Sequence, residues 1–283
     1  MAGNTSGVPD LSLVMPCYNE EESVGITIRR LVAAFDAAGF ALEVIAVDNG
    51  SHDRTGDVLA RLAARHTSVR PHRVEQNRGY GNGILQGIPL ARGEWIGFIP
   101  ADGQIDAEDV VRLYEAAAES NGNVVAKARR RFRMDGVQRK LVSIMYNIVI
   151  RMLWPRLDSL DVNGTPKILP RRAVVTMRLE SEGWFLDPEI MLKSHVMGLR
   201  VLEYNVFARM RGNGVSHVRA STCWEFFRNL LIFRFGRPLR AWQRTLAHDS
   251  LSATDMTHTT AGGSEQRAMA PVTVTAGTRE HGS

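Results

Sequence analysis

Cysteine is nearly missing from this chain. Cys17 and Cys223 are the only two in 283 residues, and they form no CxxC pair. Neither a disulfide framework nor a zinc site is therefore expected. Long apolar runs are missing too. Leu141 to Trp154 is short and interrupted by Arg151, and Trp224 to Phe235 carries Arg228 and Arg234, so both read as amphipathic rather than transmembrane. The N-terminus has no apolar stretch behind a basic start, so no signal peptide is expected and the cytoplasm is the predicted compartment. Nor is there any helix-turn-helix, zinc-finger or RNA-recognition signature. A net charge of +5 and a pI near 9.5 are thus not read as nucleic-acid binding.

What is present suits one full α/β core. Hydrophobic residues make up 44% of the chain, enough for a single core of roughly 220 residues. From Ala247 onward Thr, Ser, Ala and Gly dominate without periodicity, which predicts a disordered tail. The basic residues gather in two places: Lys127 to Arg133 with Arg139 and Lys140, and the segment from Trp224 to Arg244.

The N-terminal half repeats a strand, loop and helix. Leu11 to Met15 is an apolar strand followed by Pro16-Cys-Tyr-Asn-Glu-Glu-Glu22. Asn19 can cap the next helix, with the glutamates in its first turn. Leu42 to Val47 is a second such strand, leading through Asp48-Asn-Gly-Ser-His-Asp53 into a helix over about 54–65. Gly79-Tyr-Gly-Asn-Gly83 opens a third helix ahead of the strand Trp95 to Ile99. Continuous apolar strands with helices between them predict a parallel sheet covered on both faces. Ligands of such sheets bind beyond the carboxyl ends of the strands. Asn19, Asp48 and Asp102 all fall there. The glycines fit no dinucleotide fingerprint, because Ile84 stands where the third glycine is required. They serve either close approach to a ligand or packing of the helix on the sheet.

The strand from Trp95 stops at Pro100 and delivers Asp102, Gly103 and Gln104 onto a loop. A carboxylate and a carboxamide two residues apart are hard-oxygen ligands, suited to Mg²⁺ or Mn²⁺ shared with a substrate phosphate. Cys17 lies in the first loop, yet nothing marks it as a nucleophile.

These segments together carry a family resemblance. Val14-Met-Pro-Cys-Tyr-Asn-Glu20, Val47-Asp-Asn-Gly-Ser-His-Asp53, Asn77-Arg-Gly-Tyr-Gly81 and Ala101-Asp-Gly-Gln104 resemble the successive signatures of family 2 inverting glycosyltransferases. The resemblance continues through Arg129, Arg139-Lys140, Ser143, Asp161-Val-Asn-Gly-Thr-Pro-Lys167, Trp184-Phe-Leu-Asp-Pro-Glu189, Glu203-Tyr-Asn-Val206 and Arg211-Gly-Asn-Gly-Val-Ser216. It is strongest to the polyprenyl-phosphate sugar synthases, typified by dolichol-phosphate mannose synthase. It implies the GT-A fold: a Rossmann-like α/β domain whose predominantly parallel sheet bears helices on both faces. The expected organisation is a flexible N-terminus at 1–10, a single GT-A domain over 11–219, a basic amphipathic helical segment over 220–246 and a disordered tail over 247–283.

The resemblance also assigns roles. It implies transfer of a hexose from a GDP- or UDP-sugar to a polyprenyl phosphate, with inversion. Pro16, Asn19, Glu20, Asp48 and Gly79 are expected to line the donor pocket with Asp102, Asp48 taking the base edge and Glu20 the ribose. Asp102 and Gln104 are the expected metal ligands. Arg129, Arg139, Ser143, Lys167 and Arg211 are the expected phosphate and acceptor contacts, and Lys167 takes a position often filled by arginine. Asp102, Arg129 and Asp187 are the expected catalytic residues. A lipid phosphate already ionised near neutrality needs no strong base. An alcohol acceptor would need one, from Asp161, Asp187 or Glu189, with Asp187 first.

The chain departs from the family's Asp-x-Asp-x-Gln pattern at Pro100, which replaces the first acid. Members of that branch often carry two membrane-spanning helices after the catalytic domain. Here the expectation is instead peripheral contact at the cytoplasmic face, or a membrane partner subunit. The alternatives are transfer to a hydroxyl of a soluble glycan or natural product, and a non-catalytic nucleotide-sugar-binding subunit.

Overall fold

A computed structural model describes residues 7–132, 137–157, 159–207 and 220–247. Seven strands form one sheet in the order β3-β2-β1-β4-β6-β5-β7. They are β1 (Leu11–Cys17), β2 (Leu42–Asn49), β3 (Val69–Val74), β4 (Trp95–Phe98), β5 (Val124–Phe132), β6 (Lys167–Pro170) and β7 (Arg200–Phe207). The pairs β1–β2, β2–β3, β1–β4 and β5–β7 are parallel, while β6 runs antiparallel to both β4 and β5. The predicted α/β sheet, predominantly parallel, is therefore present, with one strand reversed.

The apolar runs become central strands because both of their faces are covered. All eight residues of β2 are buried. On one face Leu11, Leu13, Met15 and Cys17 join Val44 and Ala46 in a core with helices α1 (Val24–Ala38) and α4 (Ala107–Ala118). On the other face Val14, Ile45 and Val47 meet helix α3 (Tyr80–Gly87) at Gly87, where an added Cβ would strike Val14. Alternation with period two thus assigns odd residues of β1 to α1 and α4, and even ones to α3. Each fully buried Leu or Phe, such as Leu31 and Phe35 on α1, adds about 1.5–3 kcal/mol.

Edge strand β3, Val-Arg-Pro-His-Arg-Val, escapes a search for apolar runs. Only alternate positions turn inward, and Pro71 needs no partner for the N–H it lacks at a sheet edge. Helix α2 (Thr55–Ala63) lies between β2 and β3. Beyond β4 come α5 (Val137–Leu153), α6 (Arg171–Met177), α7 (Leu186–Val196) and α8 (Ala220–Phe235). The chain divides into two compact units, Met1–Arg234 and Phe235–Ser283. The amphipathic segment expected to run from Trp224 to Arg244 is two helices. The first ends at Phe235, and another spans 238–247, with Pro238 in the first turn, where its missing N–H costs nothing. No helix among the described residues is long and apolar enough to cross a membrane. The expected tail lies mostly outside the described residues.

Strand order turns back between β1 and β4, so the loops after these strands flank the switch point where α/β sheets bind ligands. The opposite edge is closed by a buried carboxylate. Glu43 is 1% exposed; it accepts from Ser12 Oγ at 2.6 Å, Arg92 N at 3.0 Å, Arg92 Nε at 2.7 Å and Arg70 Nη1 at 2.9 Å. Burial, the largest single influence, pushes its carboxyl up. The donors from Ser12, Arg92 and Arg70 together outweigh it and hold the group below the ordinary glutamate value.

A carboxyl depressed by folding stabilises the fold above its unfolded pKa, and that contribution is lost as pH falls through the folded value. Glu43→Gln is expected to cost about 2–4 kcal/mol in urea unfolding at pH 7. The gap from wild type should narrow below pH 4. A constant gap across that range would show that Glu43 is not the linked group.

Candidate active site

The first two polar loops are stitched to each other. Asn19 adopts a left-handed backbone, φ 54°. Its N–H donates to Ser51 Oγ at 3.1 Å and its Oδ1 accepts from His52 N at 2.9 Å. Glu20 N donates to Thr55 Oγ1 at 2.8 Å, and Glu21 N to Asp53 Oδ2 at 3.1 Å. Arg54 N returns a bond to Glu21 Oε2 at 3.0 Å. Asn19 is therefore not the cap of α1. That helix starts at Val24 behind Ser23, with no acidic residue in its first turn, and the three glutamates stand before it. The reason is visible in the partners: the backbone N–H groups at 19–21 are satisfied by side chains of the 51–55 segment.

Asp48 ends β2 almost fully buried. Its Oδ1 accepts from Ser51 N at 3.0 Å, and its Oδ2 pairs with Arg73 Nη1 at 2.5 Å. Arg73, on the polar edge strand β3, was not singled out from the sequence, because its partner lies 25 residues away. Cys17 is buried beneath these acids. Burial first, then Glu20 and Asp48, push its thiol up, which fits no nucleophilic role. Pro16 is half-buried on β1, with its Cβ close to the position a side chain at Gly83 would take.

The glycine cluster resolves into two tasks. Gly83 and Gly87 allow α3 to lie directly on β1 and β2. Gly79 and Gly81 instead admit the backbone of residues 181–183, where a Cβ on Gly79 would come within 2.8 Å of Glu182 O. Asn82 N donates to Glu182 O at 2.7 Å, and the Tyr80 and Trp184 rings stack 4.9 Å apart at 8°. Asn49 Nδ2 donates to Gly79 O at 2.9 Å and to Asn77 Oδ1 at 3.2 Å. Gly79, expected on the donor side, is therefore the hinge point between the 48–53 loop and the segment leading to Asp187.

At the end of β4, Ile99 N still bonds Val14 O at 3.2 Å, and Pro100 follows. Gly103 has φ +64°, and Gln104 N donates to Asp102 Oδ1 at 3.2 Å, forming a tight Asx-type turn. Asp102 and Gln104 are both half-buried. No group of three or more His, Cys, Asp or Glu side chains fit for a metal occurs among the described residues. One carboxylate with one carboxamide still fits a hard cation that takes its other ligands from phosphate and water.

Across the sheet, register supplies what the sequence could not. Lys167 opens β6 opposite Phe98 of β4 and opposite Lys127 of β5. Because β6 is reversed, its first residue reaches the edge carrying Asp102, and half-buried Arg129 near the end of β5 reaches the same edge. Lys167 was expected to touch phosphate, but it is 0% exposed. Its Nζ pairs with Asp187 Oδ1 at 2.5 Å and donates to Gly164 O at 2.9 Å. Burial, together with the neighbouring Lys127 ammonium, pulls it down to about 8 even though Asp187 opposes the shift. As placed it holds Asp187, rather than facing an open pocket. Lys127, which opens the basic run in the sequence, is likewise 0% exposed, and it pairs with Glu203 Oε1 at 3.1 Å.

Glu189 is committed to structure. It accepts from Lys193 Nζ at 2.6 Å and from the backbone of Glu180 and Ser181. Asp161 offers its backbone carbonyl to Lys127. The side chains of Arg139 and Ser143, and Arg211 altogether, lie outside the described residues.

The fold is an α/β architecture of the GT-A type, with polar loops beyond the carboxyl ends of β1, β2 and β4. Residues 12–177 match Glycosyl transferase family 2, and the chain belongs to that family. It is 28% identical over 221 residues to Glycosyltransferase AglD of Haloferax volcanii, covering 75% of this chain and 35% of that protein. It is 38% identical over 149 residues to the undecaprenyl-phosphate 4-deoxy-4-formamido-L-arabinose transferase of Pectobacterium carotovorum, covering 51% of this chain and 44% of that one. The chain thus spans less than half the length of both relatives. Among solved structures, glucosyl-3-phosphoglycerate synthase of Mycobacterium tuberculosis, in complex with Mn²⁺, UDP and phosphoglyceric acid, superposes with a TM-score of 0.65 at 19% identity. That match covers 79% of this chain and 78% of the other, and it shows a shared fold.

The Lys167–Asp187 pair can be tested directly. Lys167→Met strands a buried carboxylate and is expected to cost about 3–5 kcal/mol in urea unfolding. The double variant Lys167→Met/Asp187→Leu should recover most of that loss. A single variant as stable as wild type would refute the pairing.

Proposed function

We propose that this chain transfers a hexose from a nucleotide sugar to a polyprenyl phosphate, with inversion, at the cytoplasmic face of a membrane. The observation that carries this reading is that the Asp102–Gln104 turn, which follows β4, and Lys167, which opens β6 opposite Phe98 and pairs with Asp187, lie at the same edge of the sheet. The named activity of the Pectobacterium relative, transfer to undecaprenyl phosphate, supports the choice of acceptor.

The nucleoside lies against Pro16, Asn19, Glu20 and Asp48, with Arg73 joining Asp48 at the base edge and Glu20 at the ribose. Asp102 and Gln104 would hold a Mg²⁺ or Mn²⁺ ion, which would supply positive charge to stabilise a departing diphosphate. Arg129 adds a fixed cation at the same edge, where a guanidinium fork suits phosphate oxygens. An oxygen of the lipid phosphate attacks the anomeric carbon from the face opposite the leaving group. One C–O bond forms as the other breaks, and nucleoside diphosphate departs with the bonding pair. The second ionisation of a phosphate monoester lies near ~6, so no side chain need remove a proton. Asp187, held by Lys167, orients the acceptor side.

The test is a donor screen on purified protein with Mg²⁺ or Mn²⁺, offering GDP- and UDP-sugars with a short polyprenyl phosphate. Mass spectrometry of the lipid-linked sugar reads the outcome. Donor binding with transfer only to a soluble hydroxyl compound would replace this acceptor. Donor binding without any turnover would leave a non-catalytic binding subunit. Asp102→Ala is expected to lower turnover by about 10²-fold or more and to abolish metal-dependent donor binding, with the thermal midpoint unchanged. Retained turnover would remove Asp102 from the metal site.

A further inference from the structure

We infer that the outward face of α5 is a lipid-docking surface, which seats the acceptor edge on an anionic membrane; this rests on the lipid-linked acceptor proposed above. The face is unusual for a helix packed on a core. Tyr146 and Ile150 turn inward and are buried, whereas Met145, Ile148 and Met152, three and four residues apart, form an outward row 53%, 51% and 74% exposed. Spacing of this kind places them on one side of the helix. The adjoining helix α8 repeats the arrangement. Leu230 and Phe233 are buried, while Leu231 and Ile232 are 51% and 47% exposed. The two helices touch through Tyr146 and Phe227, and through Arg234, which donates to Leu153 O and lies over Trp154.

Charge selects the occupant. From Val137 to Leu153 helix α5 contains no aspartate or glutamate, but it does contain Arg139, Lys140 and Arg151. Arg151, Arg156, Arg228 and Arg234 are exposed beside the apolar positions. A row of Met, Ile and Leu bordered by arginine matches an interface of acyl chains beneath anionic headgroups. An acidic protein groove would match the arginines but not the apolar row. The inner face of the same helix supplies the link to chemistry. Burial and then the Asp187 carboxylate push the Tyr146 phenol well above its ordinary value, which places Tyr146 within the field of Asp187. One helix diameter, about 10 Å, thus separates the exposed row from the acceptor side. A phosphate on a membrane-embedded prenyl chain would reach that side of the sheet without leaving the headgroup layer.

Vesicle flotation tests this without donor or acceptor. Wild type is expected to float with phosphatidylcholine vesicles containing a third phosphatidylglycerol, and to bind less in high salt. The triple variant Met145→Gln/Ile148→Gln/Met152→Gln should bind on the order of tenfold more weakly, with an unchanged circular dichroism spectrum and thermal midpoint. Leu231→Gln/Ile232→Gln should show a smaller loss in the same direction. Wild type that ignores anionic vesicles, or a triple variant that floats like wild type, would overturn the inference. So would a wild-type dimer that the triple variant converts to monomer, since a second copy would then cover the row. Vesicle binding without formation of lipid-linked sugar would leave the docking surface standing and remove the proposed reaction alone.

Discussion

The reversal of β6 is the constraint on which the Lys167–Asp187 pair depends. A parallel strand at that position would have brought Pro170, not Lys167, to the edge where β4 delivers Asp102. Running antiparallel between β4 and β5, β6 instead places the Lys167 ammonium beneath that edge, beside Lys127. Two buried ammonium groups on neighbouring strands repel each other, and desolvation penalises both. They persist because each has a carboxylate at salt-bridge distance, Asp187 for Lys167 and Glu203 for Lys127. The Lys167–Asp187 pair therefore ties β6 to α7, and the Lys127–Glu203 pair ties β5 to β7. Buried pairs of this kind add little net stability, but removing one partner is costly.

The end of the sheet beyond β1 and β2 is organised by a different device. Its loops contain few buried apolar contacts, yet the backbone N–H groups of residues 19, 20 and 21 each find a side-chain acceptor on the 51–55 segment. Ser51, Asp53 and Thr55 act as a second strand-edge would, satisfying amides that would otherwise face water. The 181–184 segment is clamped in the same manner, between Asn82 on α3 and Glu189 on α7. Two glycines admit it, because no side chain fits where backbone meets backbone. Asn49 sits between the two devices, bonded to Gly79 and adjacent to Asp48. Rigid loops of this sort lower the cost of holding a ligand.

Much of this was legible in the residues, and the exceptions have physical causes. β1, β2 and β4 read as apolar runs because both faces are covered, and the loops after them fell where strand ends must fall. β3 and β7 could not be read that way, since edge strands bury only part of one face. Lys127 carried no role in the sequence beyond opening a basic run, because nothing local marks a buried lysine whose partner, Glu203, lies 76 residues on. Lys167 was expected at a phosphate because of its charge, and its burial against Asp187 could not be read from the sequence, since the two are 20 residues apart. Asn19 was read as a helix cap because a cap and a loop-to-loop bond draw on the same side-chain acceptor. Strand order and direction are non-local, and those two properties decide which charges meet.

Pro100 shows how a departure from a family pattern can be silent in the fold and still matter to the site. The last ladder bond on this strand is made one residue earlier, from Ile99 N to Val14 O. A proline at position 100 forfeits no hydrogen bond that the sheet requires, and its restricted φ suits the turn that follows. What changes is charge. The turn carries one carboxylate, Asp102, where the family pattern places two, so a divalent ion held there has less protein charge to balance it. The deficit can be made up by the donor's own phosphates. In that case metal and donor affinities become strongly coupled, each ligand weak alone and tight in the other's presence.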